Sequence, residues 1–520
     1  MLTDSHPSRP AMPQTSGADA IVIGAGLGGL AAAMRLGAKG YRVTVIDRLD
    51  MPGGRGSAIS QGGHRFDLGP TIVTVPQGLR DLWAACGRDF DRDVDLRALE
   101  AFYQIRWQDG STFTARQSTD AMRAEVARLS PGDLPGYDKF LKDSEKRYWF
   151  GFENLGRRAM HRFADLLKVL PTFAMLRADK SVYAHAASRV KDERLRFALS
   201  FHPLFIGGDP FHVTSMYILV SHLEKEFGVH YAMGGVAAIA LAMAGVITSQ
   251  GGSLRLNAEV DEILLENGRA TGVRLTDGAV IAADVVVSNA DAGHTYDRLL
   301  RNHRRKRWTP GKLARKRWSM GLFVWYFGTK GTRLKWPEVG HHTILVGPRY
   351  KDHIRDIFIR GKLADDMSLY VHRPSVTDPS VAPLGDDTFY ALSPVPHLGL
   401  GETDWETAAE PYRQKMQQML EDRLLPGLGT HLSEQLVFTP NSFQTRYLSP
   451  FGSGFSIEPR ILQSAYFRPH NVSEEARGLF LVGAGTHPGA GLPGVIASAE
   501  VLGTLVPDAP RSATLRMAAE

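Results

Sequence analysis

Residues 19–50 read "DAIVIGAGLGGLAAAMRLGAKGYRVTVIDRLD". "AIVI" is an apolar run of strand length. Gly24, Gly26 and Gly29 then form GxGxxG, with Gly28 inside it, and "LAAAMRLGAKG" reads as a helix stopped by glycine. "YRVTVID" is a second strand ending on Asp47. A strand, a tight turn, a helix and a strand closed by an acid make a βαβ dinucleotide-binding unit. The glycines let backbone N–H groups approach a pyrophosphate at the positive end of the helix, and Asp47 can accept hydrogen bonds from a ribose. GxGxxG alone is weak, and an ordinary α/β turn is the plain alternative. The flanking strands and the spacing to Asp47 favour the nucleotide.

The next segment selects the nucleotide. Arg48 leads into "LDMPGGRG", which sets Gly53, Gly54 and Arg55 directly behind the second strand. A second glycine pair with an arginine suits closer wrapping of a pyrophosphate, with Arg55 as counter-charge. This extension resembles FAD proteins of the amine-oxidase type. Residues 251–291 alternate as strands around a Thr-Asp-Gly turn and end in "DVVVSNAD". In the fold they resemble, such a segment returns to the nucleotide domain, which implies that the backbone at Val260 lies near the adenine.

Residues 479–500, "LFLVGAGTHPGAGLPGVIASAE", repeat the pattern of strand, glycine loop and helix. No second strand with a terminal acid follows, so this is not a second βαβ unit. Gly483 and Gly485 let the chain pass under a cofactor. The helix start at Pro493, Gly494 and Val495 would aim its N–H groups at the flavin ring or ribityl chain.

Composition bounds the rest. The chain has 520 residues, 43% hydrophobic and 22% charged, which is globular and long enough for two or three domains. Its one cysteine, Cys86, cannot form an internal disulfide, and no Cys/His spacing suggests a metal. No run has the roughly 18 apolar residues of a membrane span. The opening residues lack the apolar core of a signal peptide. The net charge of +6 is local, because residues 301–318 hold nine of the 61 Lys and Arg and no acid. With Trp308 and Trp318 at its edges, this stretch could rest on anionic lipid headgroups or be a solvated loop. No nucleic-acid module accompanies it.

Further blocks are "HRFDLGPTIVT" (64–74), "FHPLFIGGDPF" (201–211), "SNADAGHTY" (288–296), residues 366–399 and "FSIEPRILQSAYFRPHN" (455–471). With the two glycine loops, these are similar, in order and from about Ala20 to Leu505, to the bacterial-type phytoene desaturases. The resemblance implies an α/β fold: a Rossmann-type FAD-binding domain of the amine-oxidase type, an inserted α+β substrate domain and a helical membrane-facing part. We expect tails at 1–17 and 508–520. The FAD domain is expected to combine 18–100, 228–295 and 475–507, with the substrate domain at 101–227 and 296–474. The apolar stretches "LLKVLPTFAMLRADKSVY" and "VTSMYILVSHLEKEF" would line a hydrocarbon tunnel or simply pack a core.

The implied reaction removes a hydride and a neighbouring proton beside a conjugated triene, carrying phytoene through phytofluene and ζ-carotene to neurosporene or lycopene. FAD takes the hydride. By resemblance His487 and Glu458 lie near the flavin. Asp165 and Lys168 share a helical face and are candidates for an acid/base pair, although an i,i+3 ion pair explains them better. Family members often carry arginine at the position of Lys168, and arginine and lysine differ in pKa and geometry. Oxygen or a quinone would reoxidise the flavin. The expected setting is cytoplasmic, peripheral to the inner or intracytoplasmic membrane, with self-association possible. Alternatives are a desaturase of a hydroxylated, methoxylated or C30 carotenoid, an amine oxidase, and a flavin-free escort of lipid-modified partners.

Overall fold

The computed structural model describes residues 17–510. Most of the two expected tails therefore lies outside the described residues. The opening stretch folds as read, with strand Asp19–Ile23, helix Leu27–Ala38 and strand Arg42–Ile46. They belong to a five-stranded parallel sheet in the order 479–481, 285–288, 19–23, 42–46, 253–255. The C-terminal strand Leu479–Leu481 thus sits two places from the N-terminal one and parallel to it, so both glycine loops emerge at the C-terminal ends of the strands.

Ala31, Ala32 and Ala33 are fully buried in the Leu27–Ala38 helix. Small side chains let helices Val236–Ser249 and Leu492–Leu505 pack closely on this one. The apolar segment 235–247 is accordingly a core helix. A three-stranded antiparallel sheet (260–266, 269–275, 280–282) carries the Thr-Asp-Gly turn and leads into strand Val285–Ser288.

The second layer is a mixed seven-stranded sheet ordered 432–438, 321–329, 387–395, 369–372, 342–345, 101–106, 112–116. Its strand Gly321–Thr329, "GLFVWYFGT", is buried throughout. Side chains alternate between faces. Phe323, Trp325 and Phe327 pack under helix Trp405–Arg423, whereas Leu322, Val324 and Tyr326 face the core shared with the helical region. Two buried faces explain a continuous apolar run in a mainly antiparallel sheet.

Candidate active site

One cavity of about 1050 Å³ joins the two layers. Its first arm is backbone. Gly24, Gly26, Gly28, Gly53, Gly54 and Gly483 line it, with Pro493, Gly494 and Val495 at the start of the C-terminal helix. The loops are sewn together: Gly53 donates its N–H to Ala25 O at 2.8 Å. Asn289 stands between them. A Cβ on Gly28 would lie 2.7 Å, and on Gly483 2.5 Å, from Asn289 Oδ1, and Gly483 also has φ +96°. Glycine is needed at both ends of the chain because both loops close on one side chain. Gly29 and Gly485 do not line the cavity. A Cβ on Gly29 would sit 2.0 Å from Gly24 O, and on Gly485 2.8 Å from Ser456 Oγ, so these two permit packing.

Charged groups ring this arm. Asp47 accepts N–H groups from Ala25 (2.6 Å) and Leu49 (2.8 Å). Burial nevertheless raises its pKa. Arg48 is held by Glu259 at 3.1 Å and by the carbonyls of Thr445 and Arg446. Glu259 and Val260 line the same wall. Arg55 donates to Ser449 Oγ at 2.5 Å, while its buried Nε has no partner in the protein. Burial lowers its pKa; the buried Asp291 beside it, Oδ2 also unpartnered, pulls the other way. A glycine cradle that a Cβ would fill, with an orphaned guanidinium N–H, fits a dinucleotide pyrophosphate.

The second arm is apolar. Leu166, Leu170 and Phe173 of helix Phe163–Met175 and Leu219, Val220 and Leu223 of helix Leu219–Phe227 form one wall. The sheet face supplies Leu322, Val324, Tyr326, Tyr370 and Tyr390. Tyr370 OH is fixed 2.7 Å from Thr71 Oγ1 and 2.6 Å from His342 Nδ1. Behind it, His341 and His372 pair through their Nε2 atoms at 3.1 Å. Burial holds all three histidines neutral by driving their pKa values down.

The flavin containing amine oxidoreductase family model matches residues 27–500. A neurosporene-forming phytoene desaturase of Cereibacter sphaeroides is 72% identical over 97% of both chains. A lycopene-forming phytoene desaturase of a Paracoccus species is 44% identical, covering 92% of this chain and 95% of its own. The chain belongs to the bacterial phytoene desaturases. An oxidoreductase from Methanosarcina mazei shares the fold at 20% identity and TM-score 0.60, covering 92% of this chain and 98% of that one. The protein is an FAD-dependent oxidoreductase.

The four side chains read as acid/base candidates of this desaturase are scattered. His487 lines the cavity, buried, with Nε2 donating to Leu155 O (3.1 Å) and Arg158 O (3.0 Å). Burial lowers its pKa to about 4, so it is neutral with Nδ1 as its lone-pair atom. Glu458 is buried off the cavity, paired with Arg460 Nε at 2.7 Å and accepting Asp209 N–H at 3.3 Å. Asp165 caps its helix by accepting Arg162 N–H at 3.1 Å. The ion pair expected between Asp165 and Lys168 is not formed: Lys168 points to solvent, and neither residue lines the cavity.

The basic stretch needs a similar correction. Trp308 and Trp318 are 1% and 5% exposed and are core residues rather than membrane anchors. Lys312 and Lys316 lie over the Trp308 ring at 4.4 and 5.4 Å. The N–H groups of Lys306, Arg307 and Trp308 converge on the Glu475 carboxylate. Sequence reasoning missed Asn289 as a site residue, although "SNAD" was visible. It also missed the three tyrosines of the sheet face, Tyr326, Tyr370 and Tyr390, whose strands reveal nothing of which face meets the cavity.

Proposed function

We propose that the protein desaturates phytoene in three steps and releases neurosporene. The observation that carries this is the single cavity with a backbone-lined polar arm and an apolar arm. At about 1050 Å³ it exceeds the ~300–1,000 Å³ usual for one small ligand and can seat a dinucleotide and part of a polyene together. When bound, FAD supplies the hydride acceptor. Gly26 and Gly28 bring N–H groups to it, Gly24 and Gly483 (their N–H groups held by Ile46 O and Ser498 Oγ) let the backbone pass close, Arg55 balances the pyrophosphate charge, and Asp47 and Arg48 hold the ribose end. His487, locked by two carbonyls, is a positioning residue for the C-terminal loop. The apolar wall orients the hydrocarbon and excludes water, which favours charge transfer over side reactions.

Membrane contact fits the mouth of the second arm. Phe163, Leu167, Leu170 and Met175 are 59%, 51%, 46% and 72% exposed on one helix, and Leu462 beside them is 67% exposed. Leu170, Ile461 and Leu462 also line the cavity, so the apolar rim and the tunnel are continuous. Arg307, packed over the Tyr466 ring that touches Phe163, adds positive charge at the edge. No helix among the described residues is long and apolar enough to cross a membrane. A rim of this kind lies on the interface and takes its substrate from the bilayer, with a quinone or oxygen removing the electrons.

The test is the pigment made in a bacterium engineered to produce phytoene and carrying this gene. A three-banded neurosporene spectrum is expected. Lycopene would overturn the step count, and unchanged phytoene beside flavin-loaded protein would overturn the substrate.

A further inference from the structure

Each desaturation removes a hydride from one carbon and a proton from its neighbour. The hydride carries away one C–H electron pair. The second C–H bond breaks heterolytically, leaving its electron pair as the new π bond, and the proton must then cross an apolar wall. That wall holds a polar cluster unrelated to the FAD arm. His202 and Glu224 line the cavity among Leu204, Phe205, Val220 and Leu223. They are 5% and 9% exposed. Tyr103 OH donates to Glu224 Oε2 at 3.1 Å and lies 3.0 Å from His202 Nε2. His202 Nε2 is itself 3.4 Å from Glu224 Oε2, so three proton-carrying atoms form a closed triangle.

The same two residues line a second cavity of about 40 Å³ on the far side. Thr119, Ser221, Gln117 and Lys225 line it too, and the last two are exposed. A water needs roughly 10–15 Å³ and two or more polar partners, so this cavity can hold water. His202 and Glu224 are thus the partition between the hydrocarbon arm and a hydrated recess at the surface. A buried carboxylate and imidazole in an apolar wall are less stabilising than well-packed apolar side chains of similar size. Their presence needs a reason other than stability.

We propose that the Glu224–His202 pair, linked by Tyr103, accepts the proton that leaves the polyene and passes it through the small cavity to solvent. The proton moves onto the pair, a proton leaves the pair to water near Lys225 and Gln117, and the pair returns to its starting state at each step. The proposal rests on the desaturase reading and requires that wild-type enzyme convert phytoene; failure of that control would count against the reading, not the relay.

The experiment uses flavin-loaded, full-length enzyme on phytoene-containing vesicles. Glu224→Gln should lower kcat about a hundredfold or more, within the ~10²–10⁴ typical of general acid–base groups, at unchanged KM and flavin content. Glu224→Ala should regain activity on addition of acetate or formate, small carboxylates that replace the lost group. Should these variants fail to load flavin, Tyr103→Phe, which keeps the ring packing, should slow turnover at unchanged KM. Activity within threefold of wild type in folded variants, or a loss in Glu224→Ala that no carboxylate rescues, would overturn the relay and leave a structural pair.

Discussion

The two arms of the cavity are built by opposite means. The first arm is backbone: glycines of three loops and a helix start, with Gly28 and Gly483 closing on Asn289. The hydrocarbon arm is side chain: leucines, phenylalanines and tyrosines from two helices and several strands. A backbone wall of this kind admits almost no substitution, because a single Cβ on Gly28 or Gly483 would strike Asn289. Side-chain recognition by an apolar wall is graded, because each residue contributes only part of the buried area. The same fold can therefore keep one cofactor while relatives differ in product.

That contrast ranks the expected effects of mutation. The largest lies at the closure of the two loops. Gly483→Val combines φ +96° with a Cβ 2.5 Å from Asn289 Oδ1 and should yield protein without flavin, read from its visible absorption. Flavin-loaded Gly483→Val would break the account of the first arm. Next is Arg55→Met. A charged hydrogen bond is worth ~1.5–3 kcal/mol, so FAD affinity should fall roughly ten- to a hundredfold by titration of flavin-stripped protein. The flavin-stripped variant should also melt somewhat lower than wild type, because Arg55→Met removes the hydrogen bond to Ser449 Oγ and the positive charge beside Asp291.

The second arm should respond more softly. Leu462→Glu and Leu167→Glu each remove ~1.5–3 kcal/mol of apolar burial at a lipid surface and should each weaken vesicle flotation about tenfold or more. Flavin content should not change. Equal flotation of the double variant would place the membrane contact elsewhere.

The last effect, one shared among several buried histidines, is a pH limb. His487 has its pKa lowered from 6.5 to about 4, so the unfolded chain binds more protons between those values. Its contribution, roughly 3 kcal/mol, is present above pH 6.5 and is lost as pH falls toward 4. His487→Gln should flatten part of this acid limb in urea melts. Other buried histidines, such as His185 and His294, contribute to the same limb and should keep it from vanishing.

The glycine-lined arm was legible in the sequence as one wall of a cavity because glycine spacing reports backbone geometry directly. Gly24, Gly26, Gly28, Asp47, Arg55, Gly483 and Pro493 could be named before any coordinates. The packing glycines, Gly29 and Gly485, carry the same letter and could not be told from the lining ones, since only three-dimensional contact separates a glycine on the cavity wall from one whose Cβ would meet Gly24 O or Ser456 Oγ. The hydrocarbon arm was legible only as apolar stretches. Which face of residues 163–175 meets the cavity depends on how that helix leans on the sheet. The pairing of His202 with Glu224 joins residues 22 apart in different elements, which no local period encodes. Trp308 and Trp318 misled because a basic loop with tryptophans has the composition of a membrane anchor, whereas here Glu474 and Glu475 fold it inward.

The central claim is that flavin and polyene share one cavity, in contact across the junction of its arms. Mixing flavin-loaded protein with phytoene vesicles without oxygen tests it most directly. The account predicts loss of the oxidised flavin absorption together with new polyene bands, one two-electron step per flavin. Flavin that stays oxidised while phytoene is bound would contradict it.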